Sequence, residues 1–320
     1  MITIRIYTKA LIQKAKTAGR YSTAGVYAHT LNSFLRFIGK EDVTFSEISS
    51  GMIKQYEEYL LKKGLRHNTL STYMRMLRSI FNQAREDDIP VPCDINELFH
   101  YVFTGYEPTT KRAISPLLIR QLFLLDLRTS PTLCFSRDLF LLSFYLRGMP
   151  FVDLAYLRKS DIRQNTVYYY RHKTHQQLVV YIEPCAAKIL TKYSRKNSDL
   201  PYLLPILTDT GETGFKQYKS ALRLYNLHLH RLSEKLHLPV SLTSYVARHS
   251  WATTAKNEGV NISIISESLG HASEKVTYTY LASFDNNTIC KANRKVIATI
   301  NTEKREKNSV KKSNDFSSNE

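Results

Sequence analysis

The chain has 320 residues, 43% hydrophobic and 23% charged, a balance that suits two globular domains and excludes an extended low-complexity polypeptide. A net charge of +17 with a pI near 9.6 favours a polyanionic partner, nucleic acid ahead of a membrane surface, because no basic amphipathic anchor or lipidation signal accompanies it. The longest apolar run, Leu139 to Leu146, is too short to span a bilayer, no secretory leader pattern opens the chain, and Cys93, Cys134, Cys185 and Cys290 form no Cys-x-x-Cys pair. These features set the expectation of reduced thiols, no structural zinc and a cytoplasmic location.

From about Thr3 to Ala84 the pattern predicts helices, punctuated by turn signals at Gly19, Gly39-Lys40, Gly51 and Gly64. The last of them, opened by Asn68 or Thr69, carries Leu70, Tyr73, Leu77, Ile80, Phe81 and Ala84 at helical spacing, with Arg75, Arg78 and Arg85 off that stripe. Arginines on the outer faces of a small bundle suit contacts to a DNA backbone; a solvated helix face is the plain alternative. Between Asp87 and Pro116 prolines recur around a short apolar patch, Leu98 to Phe103, so this stretch reads as a linker, basic at Lys111 and Arg112. The expected division is a helical domain over 1–105, a linker over 106–113, a second domain over 114–300 and a disordered polar tail over 301–320.

The second domain opens with Ser115-Pro116, a cap followed by proline at the first helical position, and its first helix is expected to run through Leu127. RDLFLLSFYL is a buried helix, Gly148 and Pro150 break it, and another short helix follows. TVYYYR and LVVYI, Thr166 to Arg171 and Leu178 to Ile182, are β-branched and aromatic on either side of a polar turn: a hairpin, with Lys173 at the turn.

Leu242 to Leu281 carries the chemistry. Thr243 or Ser244 caps a first helix that Gly259 stops; Asn261 caps a second, with Ile262, Ile265 and Leu269 on one face and Gly270 at its end; Ser273 starts a third. This layout can bring together Tyr245, Arg248, His249, His271 and Tyr280. A guanidinium fork, an imidazole and a phenol suit a phosphodiester, held by paired hydrogen bonds and attacked at phosphorus by tyrosine. No metal or nucleotide motif accompanies them, so no cofactor is expected. Tyr278 is the rival nucleophile, but two helical residues are about 200° apart, so both cannot face one phosphate.

Arg248-His249 followed by Ala252-Thr253, then Leu269-Gly270-His271, then a tyrosine nine residues later, resembles the catalytic half of the tyrosine recombinase (phage integrase) family. The resemblance implies a mainly α fold: an N-terminal helical bundle, SAM-like and core-binding, and a C-terminal, mostly helical catalytic domain with a small β-sheet. It implies Arg248 and His271 on the scissile phosphate, Tyr280 as nucleophile and Lys173 as proton donor to the leaving oxygen. The implied activity is site-specific DNA recombination through a 3′-phosphotyrosyl link, as DNA inversion or mobile-element integration and excision. Its partner would be double-stranded DNA with inverted-repeat sites, bound by a homotetramer on two duplexes that is a monomer or weak oligomer when free. A catalytically impaired DNA-binding protein of this fold and a type IB topoisomerase-like relaxing enzyme are the alternatives.

The chain departs from the family at two positions. The first arginine of the family falls on Pro150, three residues before Asp153, which makes this a branch with that arginine displaced; Arg147, one turn upstream, is the expected substitute, the alternative being that it caps the C-terminus of the preceding helix. Tyr245 stands where the family has histidine or lysine; its phenol can donate to a phosphate oxygen but is no ready base near neutral pH, so a supporting role is expected. Asp153 is expected to buttress the arginines by ion pairing rather than to meet the phosphate. A stripe of Ile289, Ala292, Val296 and Ile300 would dock on a neighbouring protomer or on its own domain.

Overall fold

The structure, a computed structural model, describes residues 2–39, 42–92, 94–109, 112–194, 199–281 and 289–298. The readings of Lys40, Cys93, Lys111, Ile300 and the tail after Thr302 lie outside the described residues. The chain divides into two compact units, one of Met1–Thr110, Ala155–Lys159 and Lys192–Leu224, the other of Lys111–Leu154, Ser160–Thr191 and Tyr225–Glu320. Among the described residues no helix is long and apolar enough to cross a membrane.

The first unit begins with four helices: α1 (Ile4–Thr17), α2 (Tyr21–Ile38), α3 (Ser50–Lys62) and α4 (His67–Glu86), followed by the single turn α5 (Ile95–Leu98). Thr3 caps α1 and Ser49 caps α3 through their side-chain oxygens. Gly51 therefore sits inside the first turn of α3, not at a chain reversal, whereas Gly19, Gly39 and Gly64 do take the left-handed conformation. The start of α4 also differs from expectation. Asn68 does not cap it, because its side chain is held by Glu107: Asn68 Nδ2 donates to the Glu107 carbonyl at 2.7 Å and its Oδ1 accepts from the Glu107 amide at 2.8 Å. The expected stripe is confirmed except at Tyr73, which is only partly buried: Leu70, Leu77, Ile80, Phe81 and Ala84 are fully buried, while Arg75 and Arg85 are exposed and Arg78 reaches Asn96. Leu98, Phe99 and Val102 complete this core, and the buried Glu57 accepts from the Phe103 amide at 2.6 Å, so the segment up to Glu107 is pinned to the helices.

The second unit contains α6 (Pro116–Leu124), α7 (Pro131–Tyr145) and α8 (Phe151–Tyr156). Ser115 caps α6 as expected, but the helix stops at Leu124, short of Leu127. The antiparallel sheet is β1 (Ile162–Arg163), β2 (Thr166–Tyr170) and β3 (Gln177–Tyr181), in that spatial order. The hairpin pairs Val167 with Val180 and Tyr169 with Leu178, which puts these four side chains on its buried face. Helices α9 (Pro184–Ser194) and α10 (Gly211–Lys235) have parts in both units; then come α11 (Val246–Asn257), α12 (Ile262–Ser268), α13 (Glu274–Tyr278) and α14, residues 289–298. Neither Thr243 nor Ser244 caps α11. Ser244 is drawn to Asn226, whose Oδ1 accepts from its amide at 2.8 Å, and the N-cap passes to Tyr245.

Candidate active site

The site is built where the break after α7 meets the first turn of α11. Arg147 and Gly148 both take left-handed backbone conformations, φ 57° and 69°, and this reverses the chain against α11. A Cβ on Gly148 would lie 2.8 Å from the Arg248 Cα, so only glycine permits the approach. Arg248, 2% exposed, donates from Nη1 to the Gly148 carbonyl at 2.9 Å and from Nη2 to the Leu269 carbonyl and to His271 Nε2, the latter at 3.0 Å. None of these acceptors is a carboxylate. Burial first, and the nearby Arg171 second, push the Arg248 pKa down to about 10, so it remains a cation at neutral pH whose charge the free protein leaves poorly compensated.

Gly270 ends α12 in the left-handed region, φ 62°, and hands the chain to His271. Because an arginine N–H can only donate, His271 Nε2 accepts from Arg248; the proton of the neutral ring is then on Nδ1, donated to Thr277 Oγ1 at 2.8 Å. Thr277 is completely buried. The His271 pKa is pushed down to about 3, by burial first and then by Arg248, Arg171 and Lys173, a measure of how much positive charge converges there.

Tyr280 lies in the turn after α13, with its amide donating to the Thr277 carbonyl at 2.9 Å. Its ring packs against the imidazoles of His271 and His249, both centroids 4.9 Å away, and the Arg248 guanidinium carbon is 5.4 Å from its centre. His249 Nδ1 also lies 3.2 Å from the Tyr280 carbonyl, to which it donates. Tyr278, by contrast, is 58% exposed. Tyr245 has a half-exposed ring, yet its hydroxyl end is deep enough for burial to be the first cause raising its pKa, followed by Tyr280.

Lys173 is exposed at the hairpin turn, near enough to His271 to depress its pKa. Arg147 donates from Nη1 to the Val179 carbonyl at 3.4 Å and lines a groove with Gln176, Leu178, Ile264 and Glu267. Asp153, 4% exposed, accepts from the His172 amide at 2.9 Å and faces Arg171 Nε at 3.7 Å; burial raises its pKa despite these contacts. Sequence reasoning missed Arg171 and Thr277. Arg171 was within reach, since it continues the two-residue phase of the buried Val167 and Tyr169; nothing local marks Thr277 as the partner of His271.

The sequence matches the Phage integrase SAM-like domain over residues 4–91 and the Phage integrase family over residues 125–287, which is just over half of the chain. The chain belongs to the phage integrase family. It is thereby an enzyme of the tyrosine recombinase class. A protein named Tyrosine recombinase from Pseudothermotoga lettingae is 23% identical over 286 residues, 82% of this chain and 88% of the relative. Lambda integrase in a dimer bound to a COC′ core site has a TM-score of 0.64 at 15% identity, covering 89% of this chain and 99% of that one. The Tn1549 transposon integrase in complex with a circular intermediate DNA also gives 0.64 at 15% identity, covering 92% and 100%. These structures share the fold of this integrase-family chain, mainly helical with one small sheet.

Proposed function

We propose that the protein cuts and rejoins DNA through a 3′-phosphotyrosyl intermediate. The observation that carries this reading is the meeting of Arg248, His271 and Tyr280 within one buried, cation-rich corner. Tyr280 Oη forms a bond to the scissile phosphorus, and the bond to the 5′ oxygen breaks. Lys173 gives its proton to that leaving oxygen. The bound phosphate offsets the cations that depress His271 in the free protein, so the phenolic proton passes to His271 Nε2 as Arg248 Nη2 turns from the imidazole to the phosphate, and the resulting imidazolium then donates to a phosphate oxygen. Arg248 and His271 thus act most strongly on the charge of the pentavalent transition state. The phosphodiester energy stays in the covalent link, and a second 5′ hydroxyl reverses the step. The Tyr245 hydroxyl supports a non-bridging oxygen.

The biological form of the reaction is inversion, or integration and excision, at inverted-repeat sites in a cytoplasmic complex of four protomers on two duplexes. A lambda integrase tetramer bound to a Holliday junction shares this fold, with a TM-score of 0.61. In the present chain α14 exposes Ile289, Val296 and Ile297, an apolar set suited to a neighbouring protomer.

The test is a nicked suicide duplex carrying candidate inverted repeats, read as a denaturant-resistant protein–DNA adduct. Adduct that survives Tyr278→Phe and disappears with Tyr280→Phe supports the reading. A duplex that is bound but never captured would favour the second reading, a binding-only protein, for which Pro150 and the bond from Arg147 to Val179 speak. Relaxation of a site-free supercoiled plasmid would point instead to a topoisomerase.

A further inference from the structure

Pro150 leaves the site one guanidinium short of the set that the family resemblance implies. Arg147 is adjacent in sequence, but its donor group is directed to the Val179 carbonyl, in the groove beside β3 and α12. Another arginine, two residues before Lys173, is already inside.

Arg171 is 7% exposed and follows the last residue of β2. Its Nη1 is shared between the Leu269 carbonyl at 3.0 Å and the Gly270 carbonyl at 2.8 Å. The Leu269 carbonyl also accepts from Arg248 Nη2, so two guanidinium groups converge on one oxygen two residues before His271. Arg171 Nε faces Asp153 at 3.7 Å, beyond hydrogen-bond length, and Nη2 makes no hydrogen bond among the described residues. A Cβ on Gly270 would sit 2.6 Å from Arg171 Cδ, so the glycine of the Leu269-Gly270-His271 turn makes room for this side chain. Bringing two buried cations together beside a single buried carboxylate costs free energy unless an anion completes the cluster. A phosphate between them, gripped by two forks, is that anion.

We propose that Arg171, rather than Arg147, is the second phosphate-binding guanidinium, reaching the scissile phosphate through Nη2 beside Arg248. The assignment rests on the reading of the protein as a DNA-cleaving recombinase. It also explains the hairpin: one strand end delivers a cation to a non-bridging oxygen and, two residues later, Lys173 to the leaving oxygen.

The experiment compares wild type, Arg171→Ala, Arg171→Lys and Arg147→Ala in adduct formation on two suicide duplexes. One carries the natural scissile phosphate, the other an uncharged methylphosphonate at that position. Arg171→Ala is expected to slow capture of the phosphate duplex by roughly 10²–10³-fold, the usual loss when one transition-state donor is removed. On the methylphosphonate duplex, which carries no negative charge to neutralise, its deficit against wild type shrinks below about tenfold, and Arg171→Lys falls between. Arg147→Ala stays within about threefold of wild type on both.

Equal loss on both duplexes would reduce Arg171 to holding the Leu269-Gly270-His271 turn and overturn the proposal. So would wild-type capture by Arg171→Ala, or selective loss in Arg147→Ala. If wild type itself forms no adduct on the phosphate duplex, the recombinase reading falls and this assignment with it; adduct from wild type and Arg171→Ala alike removes only the assignment.

Discussion

His271 has both ring nitrogens committed, and this fixes its behaviour. Thr277 Oγ1 accepts the hydrogen bond from Nδ1–H and so keeps Nε2 as an acceptor facing Arg248 and the ring of Tyr280. Thr277→Val keeps the shape of the buried side chain and removes its oxygen, leaving Nδ1 without an acceptor and freeing the ring to adopt the other tautomer. Adduct formation should slow about ten- to a hundredfold, the scale seen when a partner that orients a functional histidine is lost, and Thr277→Ser should restore it. A valine variant as fast as wild type would show that Thr277 does not set the tautomer. The low pKa of the same ring makes a second prediction. With a folded value of about 3 against the ordinary 6.5, the unfolded chain binds a proton between these limits that the folded chain refuses. The stability contribution is therefore complete above pH 6.5 and is lost as the pH falls towards 3. His271→Asn should flatten that part of the stability curve in urea unfolding at stepped pH; an unchanged slope would place the imidazole in solvent.

Two breaks between elements, after α7 and after α12, hold the site together, and both depend on glycine for space as well as for φ. A Cβ on Gly148 would meet the backbone Cα and the side chain of Arg248, whereas one on Gly259, also left-handed at φ 80°, would meet nothing within 4 Å. Gly259→Ala should cost only the conformational strain, about 1 kcal/mol. Gly148→Ala adds a backbone clash, so its loss in urea unfolding should exceed that of Gly259→Ala by about 1–3 kcal/mol, with adduct formation reduced as Arg248 shifts. Equal losses would mean that α11 can move away. The stop glycines other than Gly51, the α4 stripe and the β2–β3 hairpin were legible because each is a local signal: a stop residue, a helical period, an alternation. The two-residue β1 was not, since it is too short for any period and exists only by pairing with Val167 and Thr166. The start of α4 was misplaced for a similar reason, as Asn68 is occupied by Glu107, 39 residues on. At the candidate site, the meeting of Arg248, His271 and Tyr280 was expected from the resemblance that their spaced motif carries. The cluster around them could not, because Arg171 reaches it across 98 residues and Thr277 through the turn of α13.

Over the whole molecule, the excess of 45 Lys and Arg over 28 Asp and Glu acts at longer range than any of these contacts. Binding to DNA releases counterions, so each phosphate neutralised adds about 0.9 to the slope of log affinity against log salt. Arg75 and Arg85 of α4 are exposed and off its buried stripe, so neutralising them leaves the helical core intact. If each meets a phosphate, Arg75→Ala and Arg85→Ala should weaken binding to duplexes with and without a recombination site by similar factors, and each should lower the salt slope by about 1. Capture at saturating protein should stay within about twofold of wild type, because the groups proposed to react lie between α11 and the turn after α13 and on the hairpin. Arg248→Ala has the opposite signature: its salt slope changes by no more than about 1, while capture is lost. Filter binding across a salt series, paired with single-turnover capture, separates the two classes. A slope left unchanged in either α4 variant would assign that arginine to solvent and move the backbone contacts to other cations of the first unit.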